Sequence, residues 1–352
     1  MRIDRASVGR VFGPAPAKRT LEAALRDVAS QKPAVRAEAV SDLVPYAATA
    51  REQVVRAIEG VLRVDEHAAV RAAAAIGLAD TKAVEALPAL LLAVEDADPY
   101  VRQMAITALG EIGDMRATGR LRRALSDERP EVRFQAVIAF PRVCAQQADA
   151  IEAVMQATHD DDPLVCHIAL RMFEELGESS GELPPSAMER ARALLGHASP
   201  LVRAAAAVVT ARFGDPVGHP VLAEIVGGKL DGVDREDEAA AIELCGELGL
   251  AASRSALERR AFGLRLGFGR DPLRWHARVA LARMGHERAI RDILSELGAW
   301  DRHKRTLAVA AAGRARLSAA RAAIAAMRGD ERKADQGAVE EALAAIAAEV
   351  DA

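Results

Sequence analysis

From Asp98, the stretch DADPYVRQMAITALGEIGD carries an acidic turn, a Val-Arg pair, an Ala four residues after the Val, a Leu-Gly at eight and nine, and a Gly-Asp. The same frame returns along almost the whole chain. With the Val of the pair as anchor, the copies stand at Val35, Val70, Val101, Val132, Val165, Val202, Asp237, Leu273, Lys304 and Val339. Nine of these ten have Ala four residues later, from Ala39 and Ala74 to Ala277 and Ala308, with Leu343 as the exception. Anchor spacings run from 31 residues (Val70 to Val101) to 37 (Val165 to Val202). A period of this length marks a solenoid in which each unit buries its apolar face against its neighbours, and it lowers the expectation of an enzyme.

The pattern resembles the HEAT repeat, in the short bacterial form of phycobilin-lyase-like proteins. Pro88 in a first helix, Asp98 in the turn and Val101-Arg102 at the start of a second helix carry the resemblance. The Arg recurs as Arg36, Arg71, Arg133, Arg203, Arg274 and Arg305, whereas Cys166, Glu238 and Glu340 depart from it. The resemblance covers residues 20–350. It implies an all-α fold, an α-solenoid forming a right-handed superhelix of about ten two-helix repeats. Residues 1–19, broken by Gly13, Pro14 and Pro16, are expected to be a flexible N-terminal arm before Thr20 caps the first helix, with 20–352 a single solenoid. The family includes scaffolds, adaptors, lyases and glycosylases, so the fold alone does not choose a function.

Each repeat reads as two helices; the third, for example, places its first over 83–94, its turn over 96–99 and its second over 100–112. Asp98-Pro99, Asp162-Pro163, Ser199-Pro200 and Asp271-Pro272 suit a helix start, through side-chain capping and the preset φ of proline. The Arg series is expected to pair within a turn or with the next repeat, a structural role that recurrence in nearly every unit predicts. Connections at 177–186, 227–236 and 263–272 are longer or richer in helix breakers.

Rotation by 100° per residue puts the anchor and the residues four, five and eight later on the buried stripe. Residues two, three, six and ten later then face outward. The resemblance implies that the second helices line a concave groove, whose expected partner-binding residues are Gln103, Met104, Thr107, Phe134, His167, Arg171, Trp275 and His276. Phe134, His167 and Arg171 are expected to form one patch, suited to an amphipathic helix or an extended segment with an acidic residue. At ten past the anchor the row reads Asp80, Glu111, Arg142, Glu175, Arg212, Glu247, Arg283, Arg314. Its alternating sign from Glu111 to Arg283 predicts an inter-repeat ladder of exposed pairs, each under about 1 kcal/mol, ending on an unpaired Arg314.

Charge and chemistry narrow the function. With 47 basic against 51 acidic residues and a net charge of −4, the chain lacks the basic excess of a phosphate-backbone binder, so nucleic acid is a disfavoured partner. Cys144, Cys166 and Cys245 have no disulfide or zinc spacing, and the first residues have no apolar run for a signal or anchor, which fits a cytoplasmic protein without membrane insertion. A di-iron hydroxylase needs several His-Glu pairs, and only His286-Glu287 is present. Cys166 and His167 point about 100° apart on a helix and cannot easily serve as nucleophile and base. No catalytic, cofactor or metal residue is assigned. The expected function is a non-catalytic scaffold or adaptor binding another protein in the groove. The alternative is an accessory enzyme or carrier of the HEAT-like lyase class, or a nucleic-acid-binding HEAT-like protein.

Overall fold

A computed structural model describes residues 19–263 and 269–350, so the expected arm over 1–18 lies outside the described residues. The chain divides into two compact units, Met1–Ala153 and Val154–Ala352. The described residues form twenty α-helices and no β-strand.

The first unit pairs α1 (Leu21–Asp27) with α2 (Pro33–Leu43), α3 (Arg51–Val64) with α4 (Ala68–Asp80), α5 (Leu87–Ala93) with α6 (Pro99–Ile112), and α7 (Thr118–Ala124) with α8 (Pro130–Val143). α9 (Gln147–Ala157) begins in it. The second unit continues with α10 (Pro163–Ser180), α11 (Pro185–Leu194), α12 (Pro200–Arg212), α13 (His219–Gly227) and α14 (Arg235–Glu247). It ends with α15 (Arg254–Phe262), α16 (Arg274–Arg283), α17 (Glu287–Glu296), α18 (Arg302–Arg314), α19 (Arg321–Ala325) and α20 (Gln336–Val350). α2, α4, α6, α8, α10, α12, α14, α16, α18 and α20 are the second helices of the repeats.

Local chemistry sets these boundaries. Thr20 accepts the Ala23 N–H at the start of α1, and Arg19, expected in the arm, is tied to Asp27, Glu38 and Asp42. Asp98 accepts the N–H groups of Tyr100 and Val101, and Asp162 that of Leu164, while Pro99 and Pro163 sit where no amide hydrogen is needed. Ser199 makes no side-chain cap, so Pro200 alone remains of that device there. The stretch after Gly177 is not a loop at first: α10 runs on to Ser180 and is stopped by Gly181 at φ 83°. Gly177 is instead a packing position, where an added Cβ would stand 2.3 Å from the ring of Phe213.

The repeat frame explains the core. All nine alanines at the fourth position after the anchor are 0% exposed, in keeping with close helix approach. The glycine at the ninth position extends this contact: a Cβ on Gly110 would meet Ala139 Cβ at 2.8 Å, and one on Gly246 would meet Ala280 Cα at 2.5 Å. Two anchors depart from the expected stripe, since Val35 is only half-buried and Lys304 is exposed. In α20 the phase slips, so that Val339, Ala342 and Ile346 are buried and Leu343 is not.

Candidate binding surface

The Arg after the anchor is a structural residue in the first unit. Arg36 donates from Nε and Nη2 to Asp65 at 2.6 and 2.8 Å, Arg71 to Asp96 at 2.8 and 2.7 Å, and Arg102 to Asp127 at 2.9 and 2.8 Å. Each Arg also donates from Nη1 to a carbonyl six residues back in its own turn, so it locks that turn to the next repeat's. Each Asp accepts in addition the N–H two residues on, from His67, Asp98 and Arg129. Burial pushes the Asp96 carboxyl upward, but the bonds from Arg71 and Asp98 outweigh it and hold the group below its ordinary range. Bidentate guanidinium–carboxylate bonds of this kind are geometrically selective as well as strong.

The ladder expected at the tenth positions is largely replaced by other pairs. Arg283 reaches Glu247 at 2.9 Å as expected, yet Arg212 pairs with Glu174 and Glu178, and Arg314 is no free end because it donates to Glu243 at 2.8 Å.

The outward side of the second helices differs between the units. In the first, Gln103, Met104, Thr107, Phe134, Gln135 and Ile138 are all half-buried. Among the described residues no side chain pairs with them, apart from the Thr107 hydroxyl, which donates to the Gln103 carbonyl at 3.0 Å. The strip is neutral, and Met104 packs in part against the unit's apolar core.

In the second unit the corresponding side is filled. Asp237 occupies an anchor that is apolar in most repeats and is 0% exposed. His167 Nε2 lies 2.7 Å from it and Arg171 Nη1 3.3 Å. Both residues belong to α10, whereas Asp237 starts α14, two repeats on. Packed helices stand ~8–10 Å apart, so next-but-one helices of a flat stack would be ~16–20 Å apart, beyond such a contact. α10 and α14 therefore lean toward each other over α12. Ala204, Ala205 and Val208 of α12, which helical rotation places outward, are at most 1% exposed, and Ala204 and Val208 belong to the unit's apolar core. Arg171 also meets Glu174 at 3.2 Å and Glu236 at 3.7 Å. Desolvation holds Glu174 above its ordinary value despite Arg212 and Arg171 beside it.

Further along, Glu243 of α14 takes both His276 Nδ1 at 2.9 Å and Arg314 at 2.8 Å, again skipping a repeat. The hydrogen bond from His276, with the charge of Arg314, holds Glu243 low against its burial. Arg314 stacks 5.4 Å from the centre of the Trp275 ring. The depression there, about 330 Å³, is lined by Glu243, Glu247, Arg283, Arg314 and Arg316. Of the eight expected partner residues, Gln103, Met104, Thr107 and Phe134 stand together in the first unit. His167, Arg171, Trp275 and His276 belong to the second and are engaged with its own charges. Asp237 was the signal in the sequence that pointed to this: an acid at an anchor otherwise filled mostly by valine.

Two of the three thiols are buried. Cys166 donates to the carbonyls of Thr158 and Asp160 and is pushed up by burial and by Asp160, and burial carries Cys245 to about 11. His286 caps α17 by accepting the Ala289 N–H. Among the described residues no group of three His, Cys, Asp or Glu is arranged to hold a metal ion, and no helix is long and apolar enough to cross a membrane.

A family model for HEAT repeats matches residues 88–174. No curated protein matches the chain. Among solved structures, importin beta is similar with a TM-score of 0.52 at 15% identity, over 93% of this chain and 50% of that one. The complex of CpcE and CpcF of phycocyanin lyase from Nostoc sp. PCC7120 gives 0.43 at 19% identity, over 73% of this chain and 100% of that one. The Mot1 N-terminal domain in complex with TBP gives 0.48 at 15% identity, over 70% and 37%. HEAT repeats are thus matched over residues 88–174, and the likeness to importin beta shows a helical-repeat fold.

Proposed function

We propose that the protein is a non-catalytic interaction scaffold or adaptor, and that a partner protein's helix or extended segment lies on the second helices of the first unit, across Gln103, Met104, Thr107 and Phe134. One observation carries this reading: that strip is neutral, partly apolar and free of internal ion pairs, whereas the matching face of the second unit is occupied by its own charges. Aromatic and Met anchors dominate interface energies, and this chain is only 3% aromatic, so a half-exposed Phe134 beside Met104 is a distinctive combination. Arg171 is paired with Asp237, Glu174 and Glu236, so it does not recruit an acidic partner residue in this scheme. Partner capture from the native cell should be lost with Met104→Ala and Phe134→Ala together, while thermal stability changes little. Undiminished capture by the folded double variant would reject the strip.

A further inference from the structure

The turn edge of the second unit contains a rung without its carboxylate. Arg274 occupies the position from which Arg36, Arg71 and Arg102 each donate two bonds to the Asp of the following turn. In the turn between α17 and α18, the following repeat's turn, that Asp is replaced by Ala299. Arg274 is half-buried, and although its backbone N–H donates to the Asp271 carbonyl, among the described residues its side chain makes no hydrogen bond or ion pair. Nearby acids are spent: Glu296 is held by Arg278 at 2.8 and 2.6 Å, and Asp301 caps α18 through the Lys304 N–H at 2.7 Å. Residues 264–268, LRLGF, contain no acid. Burial, with the positive charges of Arg270 and Arg278, lowers the proton affinity of Arg274 against the opposing charge of Glu296, an arrangement that an anion would relieve. Arg305, whose rung also lacks Asp, finds the carbonyls of Lys333 and Arg332, and Arg203 bonds only the carbonyls of its own turn, His197 and Ala198.

A second observation lies at the same turn. Trp300 follows Ala299 and is 99% exposed, in a chain with two tryptophans. The exposed indole thus adjoins, in sequence, the position that the rung acid has vacated, so the turn offers an apolar side chain next to a place for an anion.

We infer that the Arg274–Trp300 edge is a docking site for an acidic peptide segment of a partner protein, whose Asp or Glu carboxylate takes the place of the missing rung while a neighbouring apolar side chain covers Trp300. The site is separate from the α6–α8 strip, so either can fail without the other. The ladder itself argues for carboxylate over phosphate, because this chain already matches arginines at this register to planar carboxylates.

The test uses the full chain and a fluorescein-labelled peptide copying residues 91–100, LLAVEDADPY, which contains the acid of one natural rung and apolar residues before it. Fluorescence anisotropy should report binding that weakens at least about tenfold in Arg274→Glu and in Ala299→Asp, the latter because it fills the site in cis. Ala299→Asp should also raise the unfolding midpoint, and Arg274→Gln added to it should remove the gain. Equal peptide binding by both folded variants, or a midpoint in Ala299→Asp that does not depend on Arg274, would overturn the inference. So would displacement of the peptide by a tighter-binding ten-nucleotide oligothymidylate with the same dependence on Arg274, which would assign the edge to phosphate.

Discussion

The two units use one repeat frame and place their charges on opposite sides of it. In the first, arginine and aspartate meet at the turns, where Arg36, Arg71 and Arg102 bind successive repeats together and leave the outward side of α6 and α8 clear. In the second, beyond Asp160 the rung acids give way to His197, Gly232, Ala299 and Ala334, and ion pairs instead bridge next-but-one helices across the outward side. A solenoid needs each repeat fixed to its neighbours, and where the fixing charges stand decides which surface is left for a partner.

The largest effect should come from exchanging anchors. Val101→Asp buries a carboxylate where the first unit has no His167 or Arg171 to meet it, and should cost more than about 4 kcal/mol by chemical denaturation. In the second unit, Asp237→Ala removes an existing partner and should cost about 3–5 kcal/mol, since Arg171 and His167 are left without that buried carboxylate. A tolerated Val101→Asp would show that anchor burial does not distinguish the units. Ala105→Leu comes next: with Ala105 at 0% exposure, overpacking should cost about 1–3 kcal/mol. At the turn edge, Arg102→Ala should cost about 1–3 kcal/mol through its lost charge-assisted bonds, whereas Arg274→Ala should stay within about 0.5 kcal/mol. Equal losses would remove the contrast between filled and vacant rungs.

Acid should separate the units by a smaller margin. Asp65 and Asp96 are held below their ordinary values, so their contribution is fully present above the unfolded value near 3.9 and is lost as pH falls through the folded one. Glu174 is held above its ordinary value, so its contribution is fully present below about 4.3 and is lost as pH rises through the folded value. Both tyrosines, Tyr46 and Tyr100, lie in the first unit, and both tryptophans, Trp275 and Trp300, in the second. Their fluorescence reports the two transitions separately. Glu243 and Asp215 of the second unit are also held low, against Asp65, Glu85, Asp96 and Asp114 in the first, so below pH 4 the tyrosine transition should weaken more than the tryptophan one.

Much of the fold was legible in the spacing of Val, Ala and Gly, because close helix contact forces a small side chain at fixed intervals. The nine alanines after the anchors and the bounds of α6 follow from that rule. Less of the surface was legible. Rotation tells which side of a helix faces away from its own core, but not whether helices two repeats apart lean together, as α14 leans toward α10. Likewise the sequence aligns Arg102 with Arg274 while the difference between them lies in a partner acid one repeat later. Lys304 shows the opposite error, a repeat kept in register by Ala308 although its anchor is exposed.

Thiol labelling at two matched positions examines the open first-unit face and the closed second-unit face together. Thr107 and Val208 both stand six residues past an anchor, the first half-buried and the second 0% exposed. With Cys144 replaced by Ser, Thr107→Cys should react with a maleimide under native conditions, and Val208→Cys should react at least about tenfold more slowly, limited by local opening of the second unit around α12. Equal rates would contradict the distinction between a clear first-unit surface and a closed second-unit surface.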